Sequence, residues 1–437
     1  MSWGVRRMRR ELGNISDRGE TASAVATDVR LLFATRILRM AGYGALAVIL
    51  GVYLAQLGFS ERQIGLLLTL TLIGDTAISL WLTVIADRVG RRRVLVIGAG
   101  LMVLAGVVFV LSRNWVVLLV AATIGVISPS GKEVGPFLSI EQAALSHIVS
   151  GERRTTFFAW YNLVGSMAAA VGALGGGVLV DTLRKMGAGP LTSFKIVLGG
   201  YAVSGLVLGV LFWVVSGSVE VDPASRDVSG TAGPTSQNPR RLFGLGESRG
   251  IVARLSGLFA LDAFGGGFVI DSIVALWFNL KFGLSLSQLG TIFFFTNFFG
   301  GFSGLVAARL ANRFGLINTM VFTHLPSNIL LMLVPLMPNA RWAIAVLLAR
   351  FAISQMDVPT RQSYTMAVVR PEERSAAAGV TGVARTLGAA IAPVLAGPML
   401  ASARLMGLPF LIGGGVKIIY DVLLYRSFSK VAKEKQS

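Results

Sequence analysis

The sequence predicts an all-α membrane protein of twelve transmembrane helices, arranged as two six-helix bundles with pseudo-two-fold symmetry. Three observations carry this: a composition too apolar for a soluble body, basic residues gathered at alternate ends of apolar segments, and a repeat relating the two halves. Of 437 residues, 54% are hydrophobic, 14% are charged and 52 are glycine. Soluble domains average about 25% charged residues and about 7% Gly. So little charge cannot cover a soluble body of this length, whereas twelve spans of roughly 20 residues consume nearly all of it.

The apolar segments fall near 30–57, 62–86, 94–112, 115–148, 153–181 and 192–215, then 251–280, 286–310, 317–337, 341–369, 374–402 and 408–428. Between 216 and 250 the chain turns to Ser, Pro, Gly, Asp and Arg, the composition of a flexible linker. The expected organisation is a basic tail over 1–29, a bundle over 30–215, the linker 216–250, a second bundle over 251–428 and a tail over 429–437. The net charge of +18 sits at segment ends. Arg6, Arg7, Arg9 and Arg10 precede the first span, Arg88 and Arg91 to Arg93 follow the second, and Arg309 and Arg313 follow the eighth. This alternation puts both termini and the linker in the cytoplasm of a cell membrane, with a bacterial inner membrane favoured, and sets aside a nucleic-acid face. No small-residue cleavage site follows the basic tail, so the first span is expected to stay as an anchor. Cysteine is absent, which excludes disulfides and thiolate metal sites; no cofactor or metal is expected.

The halves repeat. Gly58, Ser60, Gln63 and Gly65 match Gly283, Ser285, Gln288 and Gly290 at a shift of 225, which also carries Asp87-Arg88-Val89-Gly90 onto Asn312-Arg313-Phe314-Gly315. A shift of 220 sets Pro136-Phe137-Leu138-Ser139-Ile140-Glu141-Gln142 against the segment ending Pro359-Thr360-Arg361-Gln362, with Glu141 opposite Arg361. Duplicated halves about an axis along the membrane normal, with a site between them, are a transporter plan.

With the repeat in place, Ala86-Asp87-Arg88-Val89-Gly90-Arg91-Arg92-Arg93 resembles the signature loop between helices two and three of the major facilitator superfamily. The resemblance covers essentially residues 28–428. It departs at Thr83, where the family usually has glycine, and in the fifth span, where Gly172 to Gly177 lack the proline of the antiporter motif. The resemblance implies that spans one, four, seven and ten line a central cavity. It also implies that Asp87, Arg88, Gly90, Arg91 and Arg92, with Arg313 in the second copy, gate conformation. Glu141, near the cytoplasmic end of its span, joins this gating set.

Ionisable side chains at membrane depth are costly enough to be functional candidates. They are Arg39, Asp75, Lys132, Glu133, Glu141, Asp262, Asp271, Arg350, Asp357, Arg361 and Arg385. At about 100° per residue, Arg350, Asp357 and Arg361 share one stripe of the tenth span. Asp357 and Arg361, at i and i+4, are placed to pair, either as an internal salt bridge or with Arg361 holding an anionic group. Asp262 and Asp271, nine residues apart, face opposite ways unless Gly265-Gly266-Gly267 unwinds the seventh span; Asp262 is the expected cavity residue and Asp271 lies toward the outer interface. Ser128-Pro129-Ser130-Gly131-Lys132-Glu133 and Pro136 predict a kinked or discontinuous fourth span, with Glu133 placed to reach Arg39. Asp75, alone in an apolar span, is either a proton carrier or a hydrogen-bonded packing residue with Arg39 as its prospective partner. His147 and His324 read as span-end residues without metal-ligand spacing.

The expected substrate-binding or coupling set is therefore Arg39, Asp75, Lys132, Glu133, Asp262, Asp357, Arg361 and Arg385. No phosphate-cradling Gly-x-x-x-x-Gly-Lys-Ser/Thr loop is present in the sequence, which disfavours ATP drive. The chain is expected not to be an enzyme. It is expected to move a small or amphipathic solute by alternating access as a monomer in the lipid bilayer, by proton-coupled efflux. Another coupling ion, organic-anion uptake, and a non-transporting receptor or lipid-handling protein are the alternatives.

Overall fold

Helix starts and stops in the two halves are set by the same residues. Ser60 accepts the backbone N–H of Gln63, whose side chain returns to the Ser60 backbone; Ser285 and Gln288 repeat this capping box 225 residues on. Gly90 (φ 111°) and Gly315 (φ 83°) end the helices so begun, in a left-handed backbone that a side chain would strain. The repeat read in the sequence is thus a repeat of local structure.

A computed structural model describes residues 20–148, 151–215, 245–370 and 373–434, so most of the expected linker lies outside the described residues. The first bundle holds α1 (Glu20–Gln56), α2 (Glu61–Val89), α3 (Arg91–Leu111), α4 (Trp115–Ile124), α5 (Phe137–Ile148), α6 (Gly151–Lys185) and α7 (Pro190–Val214). The second holds α8 (Arg249–Gly267), α9 (Asp271–Phe282), α10 (Leu286–Phe314), α11 (Leu316–Leu333), α12 (Ala340–Ser354), α13 (Asp357–Val368), α14 (Arg374–Leu400) and α15 (Leu408–Glu434). Three spans are discontinuous: α4 and α5 form the fourth, α8 and α9 the seventh, α12 and α13 the tenth. Among the described residues, ten helical stretches are long and apolar enough to cross a membrane; α10 and the broken α4–α5 pair complete twelve spans. Large apolar side chains such as Trp81, Val84, Val210, Trp213 and Phe322 are exposed on the outside, as a lipid-facing surface requires.

The breaks have separate causes. In the fourth span, Pro129 and Pro136 lack the N–H a helix needs, and Gly131 and Gly135 take positive φ, so residues 125–136 cross the interior as non-helical chain. In the seventh, the glycine run does not unwind, contrary to the sequence expectation. It stays helical because it packs tightly: a Cβ on Gly267 would lie 2.2 Å from Ala389 O, and one on Gly265 2.8 Å from Gly413 O. The helix stops immediately afterwards, at 268–270.

Small residues also bring the bundles together. A Cβ on Gly65 would lie 2.4 Å from Pro393 O, one on Gly177 2.0 Å from Leu286 O, and one on Gly51 2.7 Å from Ser272 O. Hydrogen bonds reinforce these contacts: Ser287 N–H to Asp181 (2.7 Å), Val394 N–H to Thr69 Oγ1 (2.9 Å), and Ser272, whose N–H reaches Pro129 O (3.0 Å) and whose hydroxyl reaches Ala47 O (2.9 Å). The Gly65 and Gly177 contacts lie at the helix ends remote from the 87–93 loop, so one face of the molecule is clasped shut.

A charged cavity between broken helices

Two buried ion networks flank the molecular axis. In the first bundle, Arg39 on α1 is fully enclosed; its Nε donates to Glu133 (2.6 Å) and its two terminal nitrogens to Glu141 (2.8 and 2.7 Å). One turn earlier, Arg36 donates to the other Glu133 oxygen (2.9 Å) and to Tyr161 O (2.9 Å). The Tyr161 hydroxyl donates to Glu141 (2.5 Å), and the Thr35 hydroxyl does so at 3.2 Å. Two guanidinium groups meet two carboxylates with well-aligned donors, the arrangement in which a buried ion pair is tolerated. Asp75 stands apart, its Oδ1 accepting Gly135 N–H (2.7 Å) and the Ser79 hydroxyl (3.1 Å). It thereby fixes the non-helical chain of the fourth span.

In the second bundle, Asp262 on α8 receives Arg361 (3.2 Å) on one oxygen and Lys417 (2.5 Å) on the other, with His324 Nε2 at 3.7 Å. Arg361 also donates to Asp357 (2.9 Å), and its guanidinium lies 5.5 Å from the Phe259 ring centre. His324 Nδ1 lies 2.8 Å from Asp421 Oδ1, and Asn328 donates to the other Asp421 oxygen at 2.9 Å. Beside this network is a cavity of about 120 Å³, bounded by Lys132 from the first bundle and by Asp262, Asp271, Arg350, Asp357, Arg361, Arg385 and Lys417 from the second. Lys132 sits deep among these groups and yet is accessible, because its side chain faces the cavity.

The structure therefore divides the sequence-derived candidates. Lys132, Asp262, Asp357, Arg361 and Arg385 gather at the cavity, Arg39 and Glu133 lie in the first-bundle network, and Asp75 holds Gly135. Arg39 is not the partner of Asp75, since Glu133 and Glu141 occupy its donors. Asp271 is at the cavity, not toward the outer interface, because the break at 268–270 turns α9 so that its first residue faces inward. Glu141 belongs to the buried network, not to a loop contact. At the loop itself, Gly90 has φ 111°, Arg91 is buried and Arg92 lies 4.9 Å from the Trp213 ring centre; the side chains of Asp87 and Arg88 lie outside the described residues. Arg313 is exposed at the end of α10, 5.4 Å from the Phe314 ring centre.

Four participants escaped the sequence reading. Arg36, Lys417 and Asp421 were passed over, although each is an ionisable residue in an apolar span. His324 was read as a span-end residue, but it lies inside α11 and is buried. Its carboxylate partners come from α8 and α15, distant in sequence, and only Asn328, at 3.2 Å, shares its helix. The side chain of His147 lies outside the described residues.

The family model described as Major Facilitator Superfamily matches residues 32–434. The chain belongs to the major facilitator superfamily. Membership places it among transporters and not among enzymes. It is 32% identical over 417 residues to the uncharacterized membrane protein YJR124C of Saccharomyces cerevisiae, covering 91% of this chain and 93% of that one. Among solved structures, a mutant of the nucleoside transporter NupG matches with a TM-score of 0.72 at 12% identity, over 92% of this chain and 99% of that chain. The D-xylose–proton symporter matches with 0.66 at 15%, over 90% and 96%. A bacterial homolog of the human lysosomal transporter Spinster matches with 0.63 at 15%, over 93% and 98%. At such identities these likenesses show the superfamily fold alone. The departure at Thr83 has a local consequence: its hydroxyl lies 3.0 Å from the Ser139 hydroxyl and ties α2 to α5.

Proposed function

We propose that this chain is a secondary transporter that carries a small polar solute through the cavity between its bundles by alternating access, coupled to proton movement. The observation that carries this reading is the meeting of three broken spans at one charged, water-accessible cavity, with the bundles clasped on the side remote from the 87–93 loop. Interrupted helices at membrane depth turn backbone groups and helix ends toward a solute. Of the small or amphipathic solute expected from the sequence, the charged lining supports a small polar one.

The clasped face is the extracellular one in this reading, and the cavity exchanges with the cytoplasm, where the basic loops lie. Asp75 is the proton-coupling residue. It is buried at 9% exposure with no cation among its bonded partners, and its carboxylate holds the chain segment that carries Lys132. Gaining a proton removes charge from the acceptor of the Gly135 N–H and loosens that segment. Direction then follows the gradients, and efflux remains the direction expected from the sequence.

Purified protein in proteoliposomes, with an imposed pH gradient and a panel of solutes, tests this. Solute-dependent proton movement supports it. Proton-tight vesicles showing no flux of any solute favour a receptor that does not transport.

A further inference from the structure

The cavity holds more positive than negative charge. Its lining contributes five cations, Lys132, Arg350, Arg361, Arg385 and Lys417, against three carboxylates, Asp262, Asp271 and Asp357. The excess is not spread evenly. Asp262 and Asp357 are committed to Arg361 and Lys417 by bonds of 2.5 to 3.2 Å. That leaves Asp271 as the one uncommitted lining carboxylate facing Lys132, Arg350 and Arg385.

None of those three cations has an ion-pair partner within 4 Å or a side-chain hydrogen bond among the described residues. The Nε atoms of Arg350 and Arg385 are buried without any acceptor. A buried guanidinium N–H without an acceptor is unfavourable, and natural structures seldom keep one without a reason. The Arg350 guanidinium lies 4.9 Å from the ring centre of Phe351, which also borders the cavity. Arg forks suit paired oxygens of a carboxylate or phosphate, and Lys supplies a mobile point charge.

We propose that the cavity binds a compact solute bearing two negative charges on oxygens, a dicarboxylate or a phosphate, gripped by Lys132 from one bundle and by Arg350 and Arg385 from the other. This rests on the transporter reading for its meaning but not for its test. The formal excess of two positive charges sets the charge of the solute, and the small cavity sets its size. Because the grip spans both bundles, the solute neutralises a charge cluster that otherwise opposes their approach.

The experiment is thermal stabilisation of the purified wild-type protein in detergent at fixed ionic strength. The probes are succinate, inorganic phosphate, benzoate, chloride, choline and glucose. The expected result is a rise in melting temperature with succinate or phosphate and none with the other four; the stronger of the two names the source of the charge. Arg350→Gln and Arg385→Gln should each weaken that binding by at least about tenfold. Equal stabilisation by chloride or benzoate, or none by either dianion, overturns the proposal using wild-type protein alone, so a misfolded variant cannot shelter it. Undiminished affinity in both folded variants also overturns it. Dianion binding without vesicle flux would remove the transport reading and leave this site standing, whereas flux of another solute with no dianion binding would do the reverse.

Discussion

Arg361 lies 3.2 Å from Asp262 in the second bundle, and Arg39 lies 2.7 Å from Glu141, the residue that the repeat sets opposite Arg361, in the first. The charges are inverted: the arginine is on the first span of one bundle and on the fourth span of the other. Each half thus joins its first and fourth spans by a buried pair, with opposite sense in the two. Removing one partner leaves buried charge under-compensated, and breaking a buried pair typically destabilises by roughly 3–5 kcal/mol. Asp262→Asn should show this loss, since Lys417 loses its carboxylate partner and Arg361 keeps only Asp357. Glu141→Gln should do the same through Arg39, which keeps only Glu133. Chemical unfolding of the purified variants checks both, and a change below about 1 kcal/mol in either would separate that pair from the stability of its bundle.

Asp75 invites a different substitution pattern. Asparagine retains an oxygen for the Gly135 N–H and cannot titrate, so Asp75→Asn should keep the melting temperature near wild type and abolish solute-dependent proton movement. Asp75→Ala removes the acceptor and leaves a buried N–H unpaired, an expected loss of about 1–3 kcal/mol. A pH-sensitive dye inside vesicles reads the first and unfolding reads the second. Proton movement that survives in the asparagine variant would clear Asp75 of any coupling role.

Much of this arrangement is legible in the sequence, for identifiable reasons. The spans follow from hydropathy, and the broken fourth span follows from Pro129 and Pro136. The Asp357–Arg361 bond follows from i,i+4 spacing, because its partners share a helix face. What is not legible depends on packing between distant elements. Lys417 meets Asp262 across 155 residues, and His324 meets Asp421 across 97, so no window of sequence contains either pair. Lys417 still carried a signal, since a lysine among Gly413, Gly414, Gly415 and apolar neighbours has to be paired or hydrated. The inward turn of Asp271 was hidden because the break falls after the glycines and not within them.

The clasped face gives a prediction about conformation. Gly65 meets Gly397 and Pro393 so closely that leucine at Gly65 or Gly397 cannot be accommodated without parting the bundles. Either variant should shift the population away from the clasped state. The chain has no cysteine, so single cysteines can be added to it directly. A cysteine at Thr69, whose hydroxyl accepts from Val394 N–H, should label slowly with a water-soluble maleimide in the parent and faster in the Gly65→Leu background. Equal rates would mean that this glycine contact does not hold the face shut.

A last prediction concerns the junction where the linker enters the second bundle. Glu373, between α13 and α14, accepts the N–H groups of Gly246 (2.8 Å) and Ser248 (3.0 Å), and Glu247 pairs with Arg370. The Ser248 hydroxyl, followed by these backbone donors, holds the Glu373 carboxyl below the ordinary glutamate range. A depressed acid adds stability that is fully present above its unfolded pKa and lost as pH falls through its folded pKa. The start of α8 should therefore stay docked at neutral pH and loosen only in acid, below the ordinary glutamate range. Glu373→Gln should loosen it at every pH, because the amide offers one oxygen where the carboxylate offered two. Hydrogen exchange at Gly246 and Ser248 reads this directly: protection that falls in acid in the parent and is low throughout in the variant supports the latch. Protection independent of pH and of the substitution would show that the apolar contacts of Leu245 hold the junction without Glu373.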